Sequence, residues 1–174
     1  MFENQKIVSE NKEEFYKMLN LQLEGLMDGE PDWLANLANA SAHLYDSLET
    51  INWAGFYLLR NRELVLGPFQ GKIACTRIKI GKGVCGTAVA EKRTQVVADV
   101  HQFPGHIACD CASNSEIVVP IIKDDVIYGV LDIDSPITER FNEIDKRYLE
   151  EFVEKLNKVI DWKLITEGIA VTEL

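Results

Sequence analysis

No apolar run in this chain approaches the roughly 18 residues of a membrane-spanning helix. The opening residues, MFENQKIVSENKEEF, lack the charged-then-apolar order of a secretion signal, so a cytoplasmic protein is the expectation. Basic residues are scarce beside acidic ones, 18 against 28, for a formal net charge of -10. That balance argues against a nucleic-acid partner, whose phosphates would be repelled. Repeats and low-complexity segments are absent. Cysteines number only four. In a reducing compartment they are not expected as standing structural disulfides, which leaves apolar filler, metal ligands or redox-active thiols.

What remains is an ordinary globular composition, 47% apolar and 26% charged, on 174 residues, enough for one domain with a real core. FYKMLNLQLEGLM and DWLANLANASAHLYDSL carry apolar residues at helical spacing, with a break at Asp28-Gly-Glu-Pro31. INWAGFYLL and ELVLGPF read as strands about a turn at Arg60-Asn61-Arg62. CTRIKI reads as a third strand beginning at Cys75, VCGTAVAEK as a short helix and TQVVADV as a fourth strand. Pro104-Gly105 opens a loop. EIVVPII and VIYGVLDID then form a hairpin across Lys123-Asp124-Asp125. Asn142, with Asp145 three residues on, can cap a last helix whose stripe of Ile144, Leu149, Phe152, Leu156 and Val159 suits a core. The expected class is α+β, a mainly antiparallel sheet of about six strands flanked by N- and C-terminal helices. Its parts are a helical region over about 10–50, sheet and site over 51–136, a helix over about 142–163 and a tail over 166–174.

The chemistry gathers late in the chain. Asp132 and Asp134 in VLDID share one face of a strand, with Leu131 and Ile133 on the other. Two carboxylates on one face need a cation, an ammonium group or a retained proton between them; a solvated Asp132 and a turn-starting Asp134 are the plainer alternative. Glu116 opens the neighbouring strand across the hairpin and could lie beside the pair, although strand register is not readable from sequence. Trp53 and Tyr57 share a face of the first strand, as core or as an aromatic wall for a small apolar ligand group. In FPGHIACDCASNSE, Cys109 and Cys111 stand one residue apart. With His106 and His101 they could serve zinc, but structural zinc sites favour C-x(2–4)-C with a second pair further on. Cys85, in Gly-Val-Cys-Gly, reads by itself as small filler at a tight helix start.

NWAGFYL, LGPFQGKIACTRI, GKGVCGTA, FPGHIACD, SNSEIVVP and GVLDIDSP, in that order, resemble the free methionine-(R)-sulfoxide reductases, which are single GAF-domain enzymes. The resemblance runs from about Asn52 to Pro136 and loosely into both flanking helical regions. GKGVCGTAVAEKRTQVVADV alone suggests only a GAF domain. The cysteine contexts, with SEIV and LDID, are more specific. The resemblance implies that Cys109 attacks the sulfoxide sulfur, that Cys75 forms a disulfide with it, and that Cys85 is a third cysteine, a relay or alternative partner. It implies that Glu116, Asp132 and Asp134 hold the substrate ammonium and the sulfoxide oxygen, with Trp53 and Tyr57 around the methyl-thioether end. It further implies a homodimer recharged by thioredoxin, with no metal and no bound cofactor. One residue departs from the pattern, Cys111, where a small polar residue such as serine is expected. It could compete with Cys75 or be a spare thiol, but a Cys-x-Cys disulfide closes a small strained ring, which favours Cys75.

A sulfoxide oxygen leaves only with a proton, so an acid must stand beside it; the expected one is Asp134. The rival reading is a GAF module that senses a small ligand without turnover.

Overall fold

The computed structural model describes residues 6–105 and 112–167. Asn11 caps α1 (Lys12–Met27) by accepting from the Glu13 and Glu14 amides. The break falls where the sequence places it, with Gly29 at a φ of +76°. Asp32 then caps α2 (Trp33–Ser47) through the Ala35 amide. Six strands follow, β1 (Trp53–Arg60), β2 (Glu63–Gly71), β3 (Arg77–Lys79), β4 (Gln95–Val97), β5 (Ser115–Lys123) and β6 (Val126–Ser135). Helix α3 (Gly83–Glu91) lies between β3 and β4, and α4 (Glu143–Val159) and α5 (Lys163–Glu167) close the chain. The strands form one sheet in the order β3-β2-β1-β6-β5-β4, each neighbour antiparallel. This is the expected α+β class.

Both tight hairpins turn on residue pairs in the left-handed region, Asn61 with Arg62 and Asp124 with Asp125. That twist matches the flanking strands. Side-chain alternation then gives the sheet two unlike faces. Ala54, Phe56, Leu58, Ile117, Val119, Ile121, Leu131 and Ile133 pack against the apolar stripes of α1, α2 and α4. Truncating a residue at its centre, such as Phe56 or Phe152, is expected to cost ~3–5 kcal/mol. Trp53, Tyr57, Val118 and Val130 point the other way, to Val84, Ala88 and Val89 of α3.

The capping box read at Asn142 and Asp145 forms. Asn142 accepts from the Ile144 and Asp145 amides, and Asp145 accepts the Asn142 amide at 2.7 Å. The same carboxylate also takes Lys12 at 2.5 Å, the Tyr16 hydroxyl at 2.7 Å and Arg140 at 3.2 Å, which ties α1 to α4. Burial works against its charge. Lys12, Tyr16 and the Asn142 amide outweigh that and hold it below its usual value.

Three sequence expectations shift. Cys75 does not begin β3; it precedes the strand, because pairing starts only at Arg77 opposite Val65. Val159 is 41% exposed, and Ile160 is buried in its stead as the C-cap of α4. That helix stops at Val159 and resumes as α5, so it is not continuous to residue 163. Of the tail, Thr166 and Glu167 belong to α5, and 168–174 lie outside the described residues. No helix among the described residues is long and apolar enough to cross a membrane.

Candidate active site

The register of the sheet decides which carboxylates meet. Glu116 of β5 pairs with Asp134 of β6, and Trp53 and Gly55 of β1 pair with Asp134 and Asp132 from the other side. Asp132 therefore has a glycine beside it on β1. A Cβ at residue 55 would fall 2.3 Å from that of Phe69, so a side chain there would push β2 away. Leu131 and Ile133 face the helices, as the alternation requires.

Helix α3 brings the third group. Its first turn sits against β3 so tightly that a Cβ at residue 86 would lie 2.3 Å from the Lys79 carbonyl oxygen. Gly86 permits that approach and so sets the depth of Cys85. The Cys85 thiol is 3.2 Å from Asp132 Oδ2, to which it donates, and 3.9 Å from Glu116 Oε1. Cys85, Glu116 and Asp132 are 3%, 6% and 6% exposed. Cys85 is thus more than filler, and Asp132 is not solvated.

Three acidic groups so buried cannot all ionise. Burial raises Asp132 to about 6, against the opposing hydrogen bonds of Cys85 and Glu116. Burial, followed by the charges of Asp132 and Asp134, lifts Glu116 well above the usual carboxyl range. The Cys85 thiol is lifted for the same reasons, burial first and then Asp132 and Glu116. The cluster is a proton reservoir at neutral pH, and Cys85 stays a thiol. Asp134 lies half-buried at its rim. Its charge is felt by Glu116, Cys85 and Tyr57.

An aromatic wall adjoins the acids. Trp53 stacks on Tyr57 at 5.8 Å between centroids and on Phe69 at 5.2 Å. The Trp53 indole donates to the Lys72 carbonyl at 3.1 Å, and the Tyr57 hydroxyl to the Cys75 carbonyl at 3.0 Å. Phe69 escaped the sequence reading. Counting back from the Asn61-Arg62 turn pairs Gly55 with residue 68, but a bulge between Gly55 and Tyr57 moves the partner to Phe69. Gly67-Pro68 in mid-strand is the signal that marks such a bulge.

Cys75 is disulfide-bonded. Cys109, Cys111 and His106 lie outside the described residues. His101, offered above as a zinc ligand, stands on a 3-10 turn with Nε2 3.1 Å from Asn114 Oδ1. Among the described residues, the donors close enough to share a metal ion are instead Cys85, Glu116 and Asp132.

Residues 35–161 match the family model described as GAF domain. The chain is 56% identical over 163 residues to the free methionine-R-sulfoxide reductase of Escherichia coli, an alignment covering 92% of this chain and 99% of that one. The reduced form of fRMsr of Staphylococcus aureus superposes with a TM-score of 0.80 at 62% identity, over 82% of this chain and 93% of that one. The free methionine-R-sulfoxide reductase of Neisseria meningitidis, solved in complex with its substrate, matches at 46% identity with a TM-score of 0.87, over 91% and 95% of the two chains.

Proposed function

The chain belongs to the free methionine-R-sulfoxide reductases, oxidoreductases built on a GAF domain, and we propose that it reduces free methionine (R)-sulfoxide by a thiol cycle. The observation that carries this reading is the buried, proton-retaining set of Glu116, Asp132 and Cys85 beside the Trp53–Tyr57 wall. Those carboxylates would take the substrate ammonium as a charge-assisted partner. The indole and phenol rings would pack on the methyl-thioether end. A free amino acid suits such a site, because a peptide has no ammonium at that position.

In the cycle, the Cys109 thiolate attacks the sulfoxide sulfur while a neighbouring carboxyl protonates the oxygen. Methionine leaves and the oxygen stays on Cys109 as a sulfenic acid. The Cys75 thiol condenses with it to a disulfide and releases water. Thioredoxin dithiol then reduces the disulfide, so that sulfoxide and dithiol become methionine, water and oxidised thioredoxin. A bonded Cys75 held by the wall through its own carbonyl supports its role as resolving thiol. Cys85, kept protonated by its burial and by the acids around it, is a poor nucleophile and serves here as a hydrogen-bond donor. Asp134 at the rim is the acid assigned to the oxygen, and full turnover by Asp134→Asn would overturn that assignment. The proposal includes a homodimer and a reducing, cytoplasmic setting, and needs no bound cofactor.

The test is single-turnover reduction by pre-reduced protein of the free R-epimer, with the S-epimer and an N-acetylated sulfoxide alongside. Turnover of the free R-epimer alone, with a Cys75–Cys109 bond located by mass spectrometry, is the expected result. Tight binding of the sulfoxide without turnover would instead make the chain a ligand sensor.

A further inference from the structure

We propose that Cys85, Glu116 and Asp132 form a binding site for a thiophilic divalent cation of the Zn2+ class. Their ligand atoms all lie within 4.8 Å of one another, on three different elements, α3, β5 and β6. A tetrahedral ion with Zn–S of about 2.3 Å and Zn–O of about 2.0–2.2 Å sets its sulfur and oxygen ligands roughly 3.5 Å apart. The Cys85 Sγ distances of 3.2 Å to Asp132 Oδ2 and 3.9 Å to Glu116 Oε1 bracket that edge. A second observation points to a ligand independently of the clustering. Asp132 Oδ1, on a residue 94% buried, accepts from no group among the described residues outside the Glu116 carboxyl. Such an oxygen is costly to bury unless something meets it.

The donor set selects the ion. One sulfur and two carboxylates suit Zn2+, Co2+ or Cd2+. Mg2+ and Ca2+ ask for six or more oxygen ligands, which three fixed side chains at this depth do not supply. Three protein ligands leave a fourth position open. On binding, the ion takes the place of the thiol proton and of the proton the carboxyls retain, both of which are released to solvent, and its charge offsets the thiolate and two carboxylates it touches. The step is coordination with proton release and involves no oxidant or reductant. One consequence rests on the function proposed above: ion and substrate ammonium would occupy the same hole, so Zn2+ would inhibit the enzyme competitively with the sulfoxide.

The test uses the full chain carrying Cys75→Ser, Cys109→Ser and Cys111→Ser, which leaves Cys85 as the sole thiol. Titration with Co2+ is expected to give a sulfur-to-cobalt charge-transfer band that saturates at one equivalent. Zn2+ should abolish the band, and Mg2+ or Ca2+ should leave it. Adding Asp132→Asn or Glu116→Gln should weaken Co2+ binding by more than about 10-fold, and Cys85→Ser by more than about 100-fold. No band, or a band of equal affinity in both carboxamide variants, would overturn the site. Because binding is read without turnover, methionine sulfoxide can be added as competitor. A band that the sulfoxide leaves unmoved upholds the metal site and refutes placing the ammonium among these carboxylates, so the two failures are told apart.

Discussion

Asp145 and Asp132 are both buried aspartates, and the protein treats them in opposite ways. Asp145 joins the helix-covered half of the molecule, where Lys12, Arg140, the Tyr16 hydroxyl and the Asn142 amide converge on it. Its charge is held, and it fastens α1 to α4. Asp132 faces the other side of the sheet, where its neighbours are a thiol and another carboxyl. Its charge is opposed, and among the described residues one of its oxygens meets no donor other than that carboxyl. Similar burial thus gives a structural anion in one place and a carboxyl that keeps its proton up to about pH 6 in the other. The difference is which partners the fold supplies. A site that must receive a cationic ligand leaves its anions unsatisfied, and a joint between helices does not.

The comparison can be broken from either end. The largest effect is expected from Asp134→Asn at the rim of the acid cluster, which removes the acid assigned to the sulfoxide oxygen. Reduction of the free sulfoxide should fall by about 10²–10⁴-fold, read as kcat/KM, with no loss of thermal stability. Next comes Asp145→Asn, which strands Lys12 and Arg140 beside a neutral group. It should cost ~3 kcal/mol, or about 6–12 °C in Tm, while the folded protein keeps its activity at 25 °C. A variant of Asp145 that lost activity at full stability would erase the distinction drawn here.

The third prediction concerns pH. Asp132, raised from 3.8 to about 6, holds a proton in the folded state that the unfolded chain has already released. Its contribution to stability is full below pH 4 and is lost as pH rises to 6, a span worth ~3 kcal/mol. Asp145, lowered, contributes above its unfolded value and loses that contribution as pH falls through its folded one. Urea unfolding from pH 3 to 7 should show both slopes, and Asp132→Asn should flatten the fall between pH 4 and 6. The smallest effect is expected from Lys12→Met. Lys12 is 34% exposed, so its removal should cost only ~1 kcal/mol while Arg140 remains.

Much of the frame was legible because local signals agreed. The Asn142–Asp145 box, the two hairpin turns and the alternation in VLDID each act over a few residues; the turns are one residue shorter than the stretches that signal them, because Arg60 and Lys123 belong to the strands. The hairpin put Glu116 on the strand next to the aspartate pair, but only the register of β5 on β6 sets it opposite Asp134. Cys85 did not follow from the residues alone, because its meeting with Asp132 spans 47 positions and depends on Gly86 letting α3 sit down on β3. Phe69 was hidden by a bulge, which shifts register by one without changing composition. Val159 departs from the stripe because it is the last residue of α4, where the chain leaves helical geometry and the C-cap Ile160 takes the buried place. Cys109, assigned by resemblance, lies outside the described residues.

The hydrogen bonds from Trp53 to Lys72 and from Tyr57 to Cys75 give the wall a mechanical meaning. Each ring is a lever whose far end is fastened to the main chain of one short connection. Pressure on the indole or the phenol from the side of the acids is delivered as a tug on the backbone that carries a thiol. Rings and connection move as one part or not at all.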